Sequence, residues 1–311
     1  MKRFFALFLT AVLLLLTLSS CSIYYSLFGY DQSYTGPIIY AYLSDTPTTF
    51  DPIDAYFDDS AAFIMSLIYE GLYKYDANGK VVKGLAKGYE KTLWNTETGE
   101  FQIEITIKRT AWSDQTYVSA DDFVYAWRRL LSPDSTTPAG VLLYDIKNAM
   151  KVANAEDDLT KYDLGANAVG TDILRIDFET VLLEDGSYRE PDLDLFFEKL
   201  ASPMLVPVRS DAVAKYTDWA STSAAVIANG PFYLKTFYTD NTVDVETEKV
   251  IRLERNKYYM RDTEVDPIDK YVKPYQIIFS IESNDYADTD DGKKGELIQA
   301  YDSASARALS K

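Results

Sequence analysis

The chain contains stretches in which apolar and polar residues alternate, a pattern typical of strands with one buried face. The clearest stretch runs from Phe101 to Ile107, where every second residue is apolar. Four shorter stretches are also predicted to form strands: residues 38–43, 173–178, 250–253 and 276–281. Turn-forming residues at Asp76-Ala77-Asn78-Gly79 and at Asp240-Asn241 predict two tight turns between strand-like segments.

Three other stretches have apolar residues at helical spacing. Ser119 and Asp122 form the start signal of one helix, because an acid three residues after the cap can accept a hydrogen bond from the cap's backbone. Trp112 and Trp127 are expected in the core. The other two helix candidates are residues 60–70 and 191–200. Strands and helices do not alternate strictly, so the predicted fold class is mixed α/β, or α+β.

The N-terminus has the organisation of an export signal. A basic segment, Met1-Lys2-Arg3, precedes an uncharged apolar run over residues 4–18, which is short for a membrane span of about 20 residues. Leu18-Ser19-Ser20-Cys21 follows and resembles the lipobox of bacterial lipoproteins. This resemblance implies that residues 1–20 are removed and that Cys21 carries a lipid. Residues 21–37 would then tether the protein to an extracytoplasmic membrane face. A transmembrane anchor and a plain secretory signal are the alternatives.

The composition excludes several functions. The chain has 48 acidic and 31 basic residues and a formal charge of −17, so phosphate backbones would repel it and no nucleic-acid partner is expected. It has no histidine, which excludes Ser-His-Asp and Cys-His catalysis and histidine-ligated metal sites. Cys21 is the only cysteine, so no internal disulfide can form. No cofactor is expected.

Five motifs occur along the rest of the chain. They are Thr49-Phe50-Asp51-Pro52, Ile68-Tyr69-Glu70-Gly71-Leu72, residues 112–129 (from Trp112-Ser113-Asp114 to Trp127-Arg128-Arg129), Asn229-Gly230-Pro231-Phe232 and Arg255-Asn256-Lys257-Tyr258-Tyr259. In this order they resemble the oligopeptide- and dipeptide-binding proteins of ABC importers, the family 5 solute-binding proteins. Most of these residues are expected to be architectural. Glu70-Gly71 is expected to end a helix, and Asn229-Gly230 to make a turn before a strand.

The resemblance implies a fold of the type II periplasmic binding proteins, in which two lobes close on a hinge around the ligand. It assigns residues 38–50 and 191–275 to the first lobe, residues 51–190 to an inserted extra domain and residues 276–311 to the start of the second lobe. Members of the family continue through a complete second lobe. The chain is therefore expected to be a fragment from which most of the second lobe is missing.

The same resemblance implies an extended peptide ligand that is held mainly through its backbone. The segment before the Asp-Pro motif would line the first lobe's side of the cleft. Its residues are Asp45, Thr46, Pro47, Thr48 and Thr49. Within this segment, the carboxylate of Asp45 would suit the positive amine of a peptide. Tyr144 is a further candidate for a ligand contact, with a core position as the alternative.

Two positions depart from the family pattern. Gln115 and Tyr117 stand where the family usually has glycine and proline. Glycine adopts a positive φ readily, so Gln115 is expected to lie in an adjusted turn. Neither residue is expected to contact the ligand.

The resemblance also implies the partners: the permease and ATPase subunits of an ABC importer, and the membrane through the lipid. A monomer is expected. No glycine-rich phosphate loop is present in the chain, so the energy for import would come from another subunit. Two alternatives stay open, which are a signalling or adhesive lipoprotein with the same fold and a surface hydrolase that uses carboxylates.

One acidic segment of the sequence is a candidate for a calcium site. Asp288-Thr289-Asp290-Asp291-Gly292 contains acids and a glycine. Placing Gly292 at the sixth position of an EF-hand loop puts Ala287 and Ile298 where the loop needs carboxylates. A solvated loop is therefore expected at this segment.

Overall fold

The computed structural model describes residues 37–43, 45–154, 163–237, 250–259 and 272–281. The strands in these ranges are β1 (Ile38–Leu43), β2 (Tyr73–Tyr75), β3 (Val81–Lys83), β4 (Ala86–Trp94), β5 (Phe101–Ile107), β6 (Ala166–Ala168), β7 (Ile173–Asp177), β8 (Phe232–Thr236), β9 (Val250–Arg255) and β10 (Gln276–Ile281). The α-helices are α1 (Asp59–Ile68), α2 (Ala120–Leu130), α3 (Ala149–Ala153), α4 (Leu193–Lys199) and α5 (Ser210–Lys215). These elements confirm the predicted mixed α/β class.

The first sheet contains β1, β10, β9 and β8, in that order. β1 and β10 are parallel, with Ile38 opposite Gln276 and Leu43 opposite Ile281, whereas β9 is antiparallel to both of its neighbours. The predicted start of the second lobe at residue 276 places β10 in one sheet with β1, β8 and β9, and that boundary stays a proposal.

The second sheet is antiparallel throughout and has the order β4, β5, β7, β6. The apolar residues of β5 are buried and its intervening polar residues are half-exposed, which confirms the period of two seen in the sequence. All four strands lie within residues 51–190. The assignment of that range to an inserted domain stays a proposal.

The turn predicted at residues 76–79 joins β2 and β3 into a hairpin. The backbone N–H of Asp76 donates to the carbonyl of Lys80 at 2.9 Å, and Gly79 has a φ of +74°, which suits a residue without a side chain. The turn predicted at Asp240-Asn241 lies outside the described residues, as does the acidic segment at 288–292.

Helix α2 begins as its sequence predicts. The backbone N–H of Ser119 donates to Oδ2 of Asp122 at 2.8 Å, the reciprocal bond of a capping box. Trp112 and Trp127 are both buried, and the indole N–H of Trp127 donates to the carbonyl of Leu205 at 3.2 Å. The core positions predicted for the two tryptophans are therefore confirmed.

The other two predicted helices are present with slightly shorter bounds. Helix α1 ends at Ile68, where the backbone N–H of Tyr69 donates to the carbonyl of Met65 at 2.8 Å. Helix α4 occupies the middle of the predicted range 191–200. No helix in the described part of the chain is long and apolar enough to span a bilayer, and the apolar run at residues 4–18 lies outside that part.

Gln115 keeps the backbone conformation that glycine would favour. Its φ is +77°, and its N–H donates to the carbonyl of Trp112 at 2.9 Å. The turn is held by Asp114, whose carboxylate accepts from the backbone and hydroxyl of Thr116 and from the guanidinium of Arg209. These charged and polar contacts hold a side-chain-bearing residue in a conformation that costs it about 1 kcal/mol or more.

Candidate ligand-binding site

The segment predicted to contact the ligand, residues 45–49, is called the ligand loop below. It follows the carboxyl end of β1, and the parallel strand β10 ends at the same edge of the sheet, since Leu43 lies opposite Ile281. In sheets with parallel strands, ligands commonly bind outside the carboxyl ends of those strands. The position of the ligand loop is therefore the one expected of a binding segment.

The ligand loop is fixed at its C-terminal side. Phe50 is fully buried, its ring lies 5.0 Å from that of Phe237, and its backbone N–H donates to the carbonyl of Ala220 at 2.8 Å. The hydroxyl of Thr49 accepts from the N–H of Asp51 at 3.1 Å. These contacts with the core fix the backbone direction of the ligand loop at its C-terminal side.

The side chains of the ligand loop divide by exposure. Asp45 and Thr48 are exposed, Thr46 and Thr49 are half-buried, and Pro47 is buried. Asp45 and Thr48 are thus placed to meet a ligand, whereas Pro47 packs inward. The ligand contacts assigned to all five residues stay predictions.

An ion pair between Asp51 and Arg129 ties the ligand loop to helix α2. The guanidinium donates from Nη1 to Oδ1 at 2.6 Å and from Nη2 to Oδ2 at 2.5 Å, a bidentate arrangement. Asp51 is buried, and the ring of Trp219 lies 5.3 Å from the guanidinium carbon. Burial opposes the charged form of Arg129, but the hydrogen bonds and charge of Asp51 outweigh it and raise the pKa of Arg129. The guanidinium of Arg129 is therefore charged at any physiological pH.

Carboxylates gather beside the ligand loop at the start of α1. Asp58 caps this helix by accepting from the N–H of Ala61 at 2.8 Å. Burial raises the pKa of Asp58, two backbone hydrogen bonds lower it, and the charges of Asp45 and Asp59 raise it further. The charge of Asp45 thus acts on Asp58, so the ligand loop is within electrostatic range of the carboxylates at the N-terminus of α1.

Tyr144 lies beside the second sheet. It ends the 3-10 helix Pro138–Leu143, is half-buried and packs against the core. Ile146, two residues later, bridges to Phe178 at the end of β7. No hydrogen bond joins Tyr144 to the ligand loop within the described residues. The ligand contact of Tyr144 stays a prediction.

Three of the motifs meet in one buried cluster, called the motif cluster below. It contains Glu70, Asn229 and Asn256, and the sequence did not reveal it. The side-chain amide of Asn229 accepts from the N–H of Glu70 at 3.1 Å and donates to the carbonyl of Glu70 at 3.0 Å. The N–H of Gly230 donates to the carbonyl of Ile68 at 2.8 Å, and the amide of Asn256 donates to the carbonyl of Gly230 at 3.0 Å. Asn229-Gly230 precedes β8 as predicted, and it also closes the end of α1.

The side chain of Glu70 joins this motif cluster to the hairpin. It lies 2.7 Å from the ammonium of Lys74 and accepts from the hydroxyl of Tyr259 at 3.0 Å. Burial, followed by the charge and hydrogen bond of Glu70, raises the pKa of Tyr259 above its ordinary value, so its phenol stays protonated and donates. The motifs that contain Glu70, Asn229 and Asn256 thus contribute to stability through this cluster, whereas the motifs that contain Asp51 and Arg129 hold the ligand loop.

The described residues contain no group of three or more carboxylates or cysteines placed to hold a metal ion. The ligand loop therefore has acidic and hydroxyl groups beside it and, within the described part of the chain, no metal cage.

Comparison with known sequences identifies the family. Residues 80–309 match the sequence profile of the bacterial extracellular solute-binding proteins, family 5 Middle. The chain belongs to this family. The family predicted from the ordered motifs is therefore confirmed.

Several relatives of this family 5 chain are known. The periplasmic oligopeptide-binding protein OppA of Salmonella typhimurium is 29% identical over 239 residues, which are 75% of this chain and 37% of that protein. The periplasmic murein peptide-binding protein MppA of Escherichia coli is 27% identical over 196 residues, or 62% of this chain and 33% of that protein. This chain thus spans between a third and two fifths of the length of these two relatives.

Solved structures agree with the family assignment. The substrate-binding domain of an oligopeptide ABC transporter from Bacillus anthracis aligns with a TM-score of 0.58 and 26% identity, over 78% of this chain and 41% of that one. Listeria monocytogenes OppA bound to peptide aligns with a TM-score of 0.60 and 23% identity, over 78% and 42%. The fold described above is therefore that of part of a family 5 binding protein.

Proposed function

We propose that this family 5 chain is part of an extracytoplasmic, lipid-anchored protein that captures peptides between two lobes and delivers them to the permease of an ABC importer. One observation carries the proposal: the ligand loop lies at the carboxyl end of the parallel strands β1 and β10 and is fixed there by Asp51 and Arg129. The names of OppA and MppA as peptide-binding proteins support the choice of ligand.

The loop supplies groups that suit a peptide. Asp45 and Thr48 are exposed beside the negative potential of Asp58 and Asp59, so a peptide's amino end is favoured at this point. Carbonyl oxygens of the threonines accept hydrogen bonds from the N–H groups of the peptide, and their hydroxyls can also donate to its carbonyls, which gives affinity that depends little on the peptide's side chains. The second lobe would close over the other face of the peptide.

Asp45→Asn tests the role proposed for the ligand loop. The variant removes one negative charge and keeps the side-chain shape, so it is expected to weaken trialanine binding about tenfold, or about 1.4 kcal/mol. Binding of N-acetyl-trialanine, which lacks the positive amine, is expected to change little. Titration calorimetry on the complete protein measures both affinities.

Glu97→Gln provides the control, because Glu97 is exposed on the turn between β4 and β5 and its substitution removes the same charge. If Asp45→Asn and Glu97→Gln have equal effects, or if the acetylated and free peptides respond alike, Asp45 does not receive the amine. Recovery of intact peptide after incubation is expected, and cleavage would favour the alternative of a surface hydrolase.

Cys21→Ala tests the lipid anchor. The substitution removes the only thiol to which the lipid could be attached, so the protein is expected to move from the membrane fraction to the soluble fraction after cell fractionation. Its thermal unfolding is expected to be unchanged, since Cys21 precedes the described fold. Ser22→Ala is the matched control and should stay with the membrane. A Cys21→Ala variant that remains membrane-bound would show that another segment anchors the protein.

A further inference from the structure

A second concave site lies along helix α1. It is a pocket of about 150 Å³, and none of residues 45–49 lines it. Most of its wall is apolar and comes from α1, from three tyrosines and from the segment after α4. The apolar and aromatic lining residues are Ala62, Phe63, Tyr69, Tyr73, Tyr75, Ala201, Pro203 and Val206. An apolar cavity of this volume accepts a group of about the size of benzene.

One end of the pocket carries an ion pair whose positive end faces outward. The side chain of Glu70 is 3% exposed, whereas that of Lys74 is 43% exposed, and their charged atoms lie 2.7 Å apart. An ammonium has three N–H donors; that of Lys74 pairs with Glu70 and also donates to the hydroxyl of Tyr259 at 3.4 Å. Lys74 therefore retains one donor for a ligand at the rim, and the buried Glu70 holds its position.

Two tyrosines of the lining also have buried hydroxyls. Tyr69 and Tyr73 both line the pocket, and neither phenol oxygen has a hydrogen-bond partner within the described residues. Buried polar atoms are nearly always paired in folded proteins, so two unpaired hydroxyls in one lining indicate a missing partner. Burial is the main cause that raises the pKa of both tyrosines, and both phenols therefore stay protonated and able to donate.

The opposite end of the pocket is acidic. Asp59 lines it at the first residue of α1, and Glu70 follows the last turn of that helix, so the two ends lie roughly 15 Å apart for ten residues at 1.5 Å each. A second carboxylate on a ligand would be repelled at the Asp59 end. The charge distribution thus distinguishes a monocarboxylate from a dicarboxylate.

We propose that this pocket binds a small apolar monocarboxylate, such as an arylalkanoate. Its carboxylate pairs with Lys74, and its ring or branched chain fills the space between α1 and residues 201–206. This site is separate from the peptide site proposed above and does not depend on it.

Phenylacetate is the probe for a titration of the complete protein by calorimetry. Saturable binding with a Kd below about 1 mM is expected, and 1,4-phenylenediacetate, which places a second carboxylate on the far side of the ring, is expected to bind at least tenfold more weakly. Lys74→Met should weaken phenylacetate binding at least tenfold. Lys83→Met is the matched control, because Lys83 is exposed on β3 of the same hairpin and does not line the pocket.

A second variant separates loss of binding from loss of folding. Ser66 is exposed on α1 and lines the pocket, so Ser66→Trp fills the cavity without altering the core. It should abolish phenylacetate binding and leave circular dichroism and peptide affinity unchanged. The proposal is overturned if the unmodified protein does not saturate with phenylacetate, if Lys74→Met and Lys83→Met bind it equally, or if folded Ser66→Trp still binds it.

Discussion

Arg129→Met is expected to lower the free energy of unfolding by about 3–5 kcal/mol. The substitution keeps most of the side-chain length but removes the guanidinium, which leaves the carboxylate of Asp51 buried without its charge partner. Removing one partner of a buried ion pair costs more free energy than the intact pair contributes, because the remaining carboxylate is desolvated without an opposite charge. Urea denaturation measures the change.

Arg128→Met is the control for this experiment. Arg128 is the preceding residue on α2, it is half-buried, and it has no ion pair within the described part of the chain. Its substitution should cost less than about 1 kcal/mol. Adding Asp51→Asn to Arg129→Met removes the uncompensated charge and should recover part of the loss. Equal destabilisation by Arg128→Met and Arg129→Met would show that the ion pair does not hold the ligand loop to α2.

Gly230→Ala should also destabilise strongly. An added Cβ would lie 2.6 Å from the carbonyl carbon of Ile68 and 2.7 Å from the N atom of Tyr69, and both of these are backbone atoms that cannot rotate away. The motif cluster would have to separate, with loss of the hydrogen bonds that Asn229 and Gly230 make to the end of α1. We expect a cost of about 3 kcal/mol or more, measured as a lower midpoint of thermal or urea unfolding.

Gly88→Ala is the matched comparison, since a Cβ at Gly88 would meet no atom within 4 Å and its backbone φ is not positive. Gly88 lies in a strand, so alanine there should be neutral or slightly stabilising through the lower entropy of the unfolded chain. If Gly230→Ala and Gly88→Ala have similar stabilities, contact of the added Cβ with the backbone of Ile68 and Tyr69 does not explain the effect of Gly230→Ala.

Local structure could be predicted from the sequence because its causes are local. The alternation over Phe101 to Ile107 determines which face of β5 is buried, and the Ser119 and Asp122 pair determines where α2 begins. The turn at Asp76 to Gly79 similarly depends on residues within four positions of one another. The fold class follows from such elements together with the ordered motifs.

The polar contacts that position the candidate site could not be predicted in this way. Asp51 and Arg129 are 78 positions apart, and Glu70 and Asn229 are 159 apart. Taken singly, each of these residues is of a type that is ordinary at surface or turn positions. Only the folded structure shows that the two members of each pair are in contact. The ligand loop was located through family resemblance, and neither sequence pattern nor structure connects Tyr144 to it.

The parallel pairing of β1 with β10 has a consequence for how the chain folds. Every strand of the second sheet comes between these two partners in the sequence, so that sheet can form while β1 still lacks its neighbour. Closing so long a loop is entropically costly and slow. Strand β1 is therefore expected to be among the last strands to become protected from hydrogen exchange during refolding. During synthesis β1 is made before its partner β10, so in that interval it could pair with a wrong strand.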